Sequence, residues 1–171
     1  MMRMVIVNEN DEVIGSKERE DRNTTDINRV TGMWLLDENK NVLIARRALD
    51  KFYDPGKWGM SVAGTVEENE SYIHNILKEV QEELGIKVNE SSVVVGTKRF
   101  VEAQHKYFFQ SYVTYVPEGT QCVIQKSEVE SVQWISFDAL AEWFARAPHD
   151  FTRAFGLSFE NLKSFLFQQH G

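Results

Sequence analysis

The sequence predicts an α+β fold, an α/β/α sandwich in which a mixed β-sheet lies between helices. Strand-like segments occur both before and after one strongly amphipathic helical segment, and further helical segments close the chain. The chain has 171 residues, of which 42% are hydrophobic, so it is long enough to bury one core. We therefore expect a single domain over residues 1–171.

The N-terminal half is predicted to form short strands joined by polar turns. Asn10 and Asp11 favour a tight hairpin turn, and the polar run 37–41 separates two apolar segments that we expect to pair. The polar segment 16–26 has no periodicity, which is typical of a surface loop. The strand candidates are residues 4–8, 13–15, 27–36, 42–45 and 60–63.

A helix is predicted over about residues 70–84. Its apolar residues recur at intervals of three and four, the pattern of a helix that buries one face. They are Ile73, Ile76, Leu77, Val80 and Leu84. Gly85 favours an end to the helix there, because glycine enters the left-handed conformation without a Cβ clash.

The strands of the C-terminal half are predicted to form the centre of the sheet. Residues 93–103 and 106–116 are rich in Val, Phe and Tyr, and residues 104–105 mark a turn or bulge between them. Weaker strands are expected at 121–125 and 132–135.

Helices are predicted to close the chain over about residues 137–168. Ser136 is a typical N-cap for an amphipathic helix over 137–146. Residues 151–155 and 159–167 show further helical patterns, and their apolar faces could also pack against a second copy of the chain in a homodimer.

Composition excludes several kinds of site. Cys122 is the only cysteine, so neither an intrachain disulfide nor a thiolate zinc site can form. The histidines show no metal-ligand spacing; they are His74, His105, His149 and His170. Carboxylates are the remaining metal ligands, and oxygen donors favour Mg²⁺, with Mn²⁺ as the alternative ion.

Charge and hydropathy argue against two classes of binding partner, membranes and nucleic acids. No apolar run approaches the roughly 20 residues that a membrane-spanning helix needs. The net charge of −7 and the lack of a basic stripe argue against nucleic-acid binding. We expect a cytoplasmic protein that acts on a small molecule and binds neither nucleic acid nor membrane.

Three carboxylates of the predicted helix project from one side. Glu79, Glu82 and Glu83 are related by three- and four-residue intervals, and like charges at this spacing repel each other. A solvated acidic helix is the simpler interpretation. Carboxylates gathered beside a glycine turn favour a cation site, because a helix with no use for cations would alternate its charges.

This segment resembles the Nudix box. The match covers every defined position of that motif except one, where lysine replaces arginine, and a chance match of this length has a probability on the order of 10⁻⁶. The matching residues are Gly64, Glu70, Glu79, Val80, Glu82, Glu83, Gly85 and Ile86, and Lys78 stands at the arginine position.

The resemblance implies a Nudix fold and a set of metal ligands. Glu82, Glu83 and the Gly64 carbonyl would bind Mg²⁺, and Glu102 could serve as an extra ligand. Glu79 would be a further ligand or the base that takes a proton from water, so the catalytic residues would be the three box glutamates. A base beside divalent cations stays ionised and works at neutral to alkaline pH.

Glu70 is expected to pair with Lys78 and to fix the loop of the box to its helix. Lysine keeps the charge of the arginine but lacks the bidentate fork, so we expect a looser clamp than in a full match.

The substrate-binding candidates are Arg46, Arg47 and Trp58. Adjacent strand residues point to opposite faces, so one of the two guanidinium groups is expected to contact phosphate oxygens. Trp58 lies in an aromatic loop before the box. It could stack on a ligand, although a core position is the more usual role for a tryptophan.

A narrower resemblance, over about residues 5–135, is to the isopentenyl-diphosphate isomerase branch of the Nudix superfamily. That reaction would need cysteine where Ala63 stands, histidine at Thr65 and near Asn28, and a carboxylate at Gln104. All four are missing, and allylic proton transfer needs an acid and a base on opposite faces.

The predicted function is that of a MutT-like Nudix pyrophosphohydrolase. It would be a Mg²⁺-dependent enzyme that cleaves a diphosphate linkage in a nucleoside diphosphate derivative or related organic diphosphate by attack of water on phosphorus. The alternatives are an isopentenyl-diphosphate isomerase and a non-catalytic nucleotide-binding or regulatory module.

Overall fold

The computed structural model describes residues 2–168. Residue 1 and residues 169–171 lie outside the described part, so both ends of the predicted domain and His170 do as well. The strands of the described part are β1 Arg3–Val7, β2 Val13–Glu18, β3 Ile27–Leu36, β4 Asn41–Arg47, β5 Trp58–Gly59, β6 Val62–Thr65, β7 Val94–Glu102, β8 Lys106–Tyr115 and β9 Val129–Ser136. The helices are α1 Tyr72–Leu84, α2 Phe137–Arg146 and α3 Phe155–Gln168. No helix within residues 2–168 combines the length and the apolarity needed to span a membrane.

Strand β3 is the centre of a mixed sheet. It pairs in parallel with β8 along its whole length, and antiparallel with β1 and β6. It meets β4 only at the pair Leu36–Val42, beyond which β4 pairs with β5 and β9. The sheet therefore divides into two arms, and the space between them is open to the functional site.

The alternation of side chains along β3 builds a core on each face of the sheet. On one face, Met33 and Leu35 pack with Ile76 and Val80 of α1. On the other, Trp34 packs with apolar side chains of α2 and α3, including Leu140, Phe155, Phe159 and Leu162. The predicted arrangement of a mixed sheet between helices is confirmed.

Local signals place the ends of the helices. The Ser71 hydroxyl accepts the His74 N–H at 3.2 Å at the start of α1, and the Ser136 hydroxyl accepts the Ala139 N–H at 3.2 Å at the start of α2. Gly85 ends α1 with φ of 65°, in the left-handed region that glycine enters freely. The box helix thus begins two residues later than predicted, and α2 has the predicted bounds.

Two segments differ from the predicted secondary structure because hydrogen bonds to distant parts of the chain determine their conformation. Segment 121–125 is not a strand, since the N–H groups of Val123 and Gln125 donate to the carbonyls of Leu84 and Glu83 at the end of α1. Residues 16–18 extend β2 instead of forming a loop, because they pair with β1.

The prediction that residues 27–36 and 42–45 pair with each other holds only at Leu36–Val42. Residues 151–154 precede α3 and are not helical, and the short strand β5 was not predicted.

Candidate active site

A cavity of about 1250 Å³ opens between the two arms of the sheet. Its wall near α1 is charged, and its wall near α3 is apolar. The charged residues include Glu67, Glu79, Glu82, Glu83, Glu128, Arg19, Arg46, Arg47 and Lys51. The apolar residues include Val30, Met60, Tyr107, Phe109 and Leu157. The cavity therefore has one end suited to phosphate and cations and another suited to an organic group.

Glu79 fills the space that a side chain at Gly64 would occupy. A Cβ at Gly64 would lie 2.5 Å from Glu79 Cγ and 2.9 Å from its Oε1, so only glycine lets the carboxylate reach β6. Asn75 donates to Glu79 Oε1 at 3.4 Å. Burial raises the pKa of Glu79 to about 7, with Lys78 opposing the rise and Glu82 adding to it.

Glu83 lies in a still more strongly anionic environment. Its pKa is raised to about 8. Burial is the largest cause, the charges of Glu79 and Glu128 contribute to the rise, and Arg47 and Lys51 oppose it. Glu82, one residue before it, is exposed to solvent at the cavity wall. Carboxylates that resist ionisation in this way are stabilised when a cation joins them.

The donor set fits a hard divalent cation. All the candidate ligands at this wall are oxygen atoms, as Mg²⁺ and Mn²⁺ prefer. Within residues 2–168, no three acidic, histidine or cysteine side chains already surround a common point that could hold an ion. The box glutamates share the cavity wall, so closing the set takes movement of their side chains.

Lys78 joins the loop of the box to its helix. Its Nζ lies 2.7 Å from Glu70 Oε1 and 2.7 Å from Glu67 Oε1. Glu70 Oε2 also accepts hydrogen bonds from the Glu67 N–H at 3.0 Å and from Asn75 Nδ2 at 2.9 Å. These contacts lower the pKa of Glu70 against the effect of its burial and raise that of Lys78. Glu67 was missed by sequence reasoning; the lysine ammonium bridges two carboxylates, which replaces the fork of an arginine.

Both arginines of β4 line the cavity, in contrast to the expectation that only one would enter it. The pairing of β4 with β9 shifts register between Arg46 and Arg47, and such a bulge breaks the alternation of side chains. Arg46 Nε donates to the Gly56 carbonyl at 2.8 Å, and Arg47 Nε donates to the Tyr53 carbonyl at 3.0 Å. The pair therefore also holds the loop over residues 53–56 beside the cavity.

Two predicted site residues lie elsewhere. Trp58 packs edge-on against Trp143, with ring centroids 5.8 Å apart, at the core on the α2 and α3 face, and it does not line the cavity. Glu102 is exposed at the end of β7 and pairs with Lys106 at 2.9 Å. Strands β8 and β3 separate it from β6, so it is not brought to the box glutamates.

Lys51 and Glu128 also line the cavity, although no pattern in the sequence predicted them there. Their ion pair, at 2.6 Å, lies beside Glu83. Glu128 is far from Glu83 along the chain and approaches it because segment 121–125 is hydrogen-bonded to the end of α1. The exposed ring of Phe52 lines the same cavity, as does Tyr53, whose ring centroid is 4.8 Å away.

Of the four positions at which this chain lacks the residues of an isomerase, two line the cavity and two do not. Ala63 and Thr65 line the cavity, on either side of Gly64. Asn28 is buried in β3, and Gln104 is exposed in the turn between β7 and β8. Arg19 donates to the Thr65 hydroxyl at 3.1 Å.

Comparison with known proteins agrees with this geometry. The family profile described as NUDIX domain matches residues 26–155. An isopentenyl-diphosphate Delta-isomerase of Enterobacter sp. (strain 638) is 24% identical over 155 residues, which are 87% of this chain and 84% of that protein.

Two solved structures share the fold. The crystal structure of DR0079 from Deinococcus radiodurans superposes with a TM-score of 0.72 at 23% identity, covering 84% of this chain and 89% of that one. A C. elegans Ap4A hydrolase, solved as a binary complex, superposes with a TM-score of 0.59 at 14% identity, covering 82% of this chain and 98% of that one.

Proposed function

The chain belongs to the Nudix family, and on that premise we propose that it is a Mg²⁺-dependent hydrolase of a small organic diphosphate. Water attacks phosphorus and the bond between the two phosphates breaks. A terminal diphosphate then gives an organic monophosphate and inorganic phosphate, and a nucleoside diphosphate derivative gives two organic monophosphates. The observation that carries the proposal is that three box glutamates and the Arg46–Arg47 pair line one cavity.

The glutamates and the Gly64 carbonyl would hold Mg²⁺, or Mn²⁺ in its place. When bound, the ion supplies neutralisation of the phosphate charge and a lower pKa for water. Glu82 and Glu83 serve as ligands. Glu79 lies against Gly64, at the edge of the cavity, where a carboxylate oxygen can accept the proton of the attacking water.

The arginines bind and orient the phosphates. Each uses its Nε to hold a loop carbonyl, and the terminal nitrogens of a guanidinium can still donate to phosphate oxygens. Substrate bound in this way would also fix the loop over residues 53–56, which carries Tyr53 at the mouth of the cavity.

Turnover of a panel of substrates with Mg²⁺ present tests the proposal, with inorganic phosphate as the readout for simple organic diphosphates and nucleoside monophosphate as the readout for nucleoside diphosphate derivatives. We expect Glu82→Gln and Glu83→Gln to reduce kcat at least 100-fold, on the scale of a lost electrostatic catalytic group. Glu142→Gln, at an exposed position of α2, is the matched control and should retain activity. Unchanged turnover in both cavity variants would show that the site is wrongly assigned.

The similarity to isomerases makes isomerisation the second candidate. Ala63 lines the cavity but carries no titratable group, and Gln104 is exposed outside it. Incubation with isopentenyl diphosphate should therefore give no dimethylallyl diphosphate, and its appearance would favour the isomerase. A non-catalytic module is disfavoured because the box glutamates are complete.

A further inference from the structure

Gly32 lies beneath the apolar end of the cavity. It sits on β3 between Val30, which lines the cavity, and Trp34, which belongs to the core on the α2 and α3 face. A Cβ at Gly32 would lie 2.5 Å from Met60 Sδ and 2.8 Å from Phe109 Cζ. Real Cβ atoms do not approach other atoms so closely, so Met60 and Phe109 occupy their positions only because residue 32 has no side chain.

Met60 and Phe109 form part of the cavity wall directly above Gly32. Strand β3 is behind them, so a side chain at position 32 would push both toward the cavity. The thioether of Met60 turns easily, whereas the Phe109 ring is rigid. A side chain at residue 32 would therefore make the apolar end of the cavity shallower.

Two serine hydroxyls of the cavity wall are already engaged in hydrogen bonds within the protein. The Ser61 hydroxyl already donates to the Leu43 carbonyl at 2.6 Å and accepts the Leu35 N–H at 2.9 Å. The Ser158 hydroxyl donates to the Phe155 carbonyl at 2.9 Å. Next to Gly32 the cavity wall is formed by the apolar side chains of Met60 and Phe109, so discrimination at this point depends on the size and shape of an apolar group.

We propose that Gly32, acting through Met60 and Phe109, determines the size of the organic group that the enzyme accepts. The proposal rests on the proposed function, since it assigns the charged end of the cavity to the diphosphate and the apolar end to the group attached to it. Gly32 is a positioning residue and contacts no substrate itself.

Alkyl diphosphates of increasing chain length, from methyl to octyl, test the proposal with phosphate release in Mg²⁺ as the readout. Gly32→Ala should lower kcat/KM for the longest accepted chain about 10-fold and leave methyl diphosphate within about 2-fold, because a misfit of one methylene in an apolar pocket has an effect of this order. Met60→Ala should shift the preference to longer chains, and the double variant should return it toward that of the wild type. Gly156→Ala is the matched control, since its Cβ would lie an ordinary 3.6 Å from Phe144.

The outcomes separate this inference from the proposed function. Turnover with one chain-length profile in all variants would overturn the role of Gly32 and leave the hydrolase intact. If no diphosphate is turned over, the hydrolase proposal fails. The role of Gly32 can then be tested by calorimetric binding of alkyl methylenebisphosphonates with Mg²⁺. A shifted chain-length preference in Gly32→Ala supports that role, and an unshifted one refutes it. Should Gly32→Ala not fold, the comparison of the Gly32→Ala/Met60→Ala double variant with Met60→Ala gives the same decision, because the double variant lacks the close contact with Met60 Sδ.

Discussion

Mg²⁺ should stabilise this fold much more at alkaline than at acidic pH. The pKa values of Glu79 and Glu83 are raised from an ordinary 4.5 to about 7 and about 8, mainly by burial. Only the folded chain has these raised pKa values, so protonation of the pair stabilises the fold. This stability is fully present below pH 4.5 and is lost as the pH rises through the raised pKa values of Glu79 and Glu83. At about pH 8 the metal-free fold has therefore lost most of this stability, with Glu79 ionised and Glu83 about half ionised.

The magnitude follows from the size of the pKa differences. Each whole pKa unit between the folded and unfolded chain corresponds to about 1.4 kcal/mol. After allowance for solvent screening of partly exposed side chains, ionising the pair destabilises the metal-free fold by on the order of 3 kcal/mol. For a chain of this length 1 kcal/mol shifts Tm by about 2–4 °C, so Mg²⁺ should raise Tm by about 5–10 °C at about pH 8. At about pH 5 it should raise Tm by less than about 2 °C, because binding must then displace protons.

Thermal unfolding followed by circular dichroism, with Mg²⁺ or a chelator at each pH, measures the effect. Other titrating groups, such as His105, act with and without the ion and cancel in the difference. The Glu79→Gln/Glu83→Gln double variant should lose the pH-dependent gain, and Glu160→Gln, exposed on α3, should keep it. An equal gain at both pH values, or a gain that survives in the double variant, would refute the reasoning.

Three further predictions concern contacts outside the metal ligands. Asp11→Ala should lower the free energy of unfolding in urea by about 2–4 kcal/mol, since it leaves the partly buried Arg29, 2.7 Å away, without its carboxylate. The control Asp50→Ala, at an exposed position, should change the free energy of unfolding by less than about 0.5 kcal/mol, and similar values for the two variants would contradict the prediction. Lys78→Met should weaken Mg²⁺ binding about 10-fold in calorimetry, the scale of a lost outer-shell contact, and Lys78→Arg should restore it; unchanged affinity in Lys78→Met would show that the clamp does not shape the site. Gly85→Ala should lower Tm by several degrees, because φ is 65° and its Cβ would lie 2.8 Å from Val123; an unchanged Tm would show that the helix end relaxes without cost.

The sequence was most informative where local chemistry decides structure. The helical period, the N-cap residue Ser136 and the helix end at Gly85 depend on neighbours within a few residues, so they could be predicted from the chain itself. The layered fold followed from the order of these elements, and the same motif that located the box also indicated the ion pair between Glu70 and Lys78, which the structure contains.

The rest depends on contacts between distant segments. Segment 121–125 has strand-like composition but is bound by the end of α1, and this contact brings Glu128 toward Glu83. The bulge between Arg46 and Arg47 is created by pairing with β9, more than 80 residues later in the chain. No local pattern carries this information, so the cavity wall could be predicted only in part.

The pairing of β3 with β6 links the two ends of the cavity. Gly32 pairs with Ala63, and Thr31 pairs with Gly64, so the glycine beneath the apolar end and the glycine beside Glu79 lie in adjacent register. Ala63 therefore lies between the charged end and the apolar end of the cavity, at the position where an isomerase would need a cysteine. A methyl group there can neither give nor take a proton, so position 63 supplies no acid or base for chemistry on an organic group. We infer that this arrangement directs the chemistry to phosphorus and leaves the organic group unchanged.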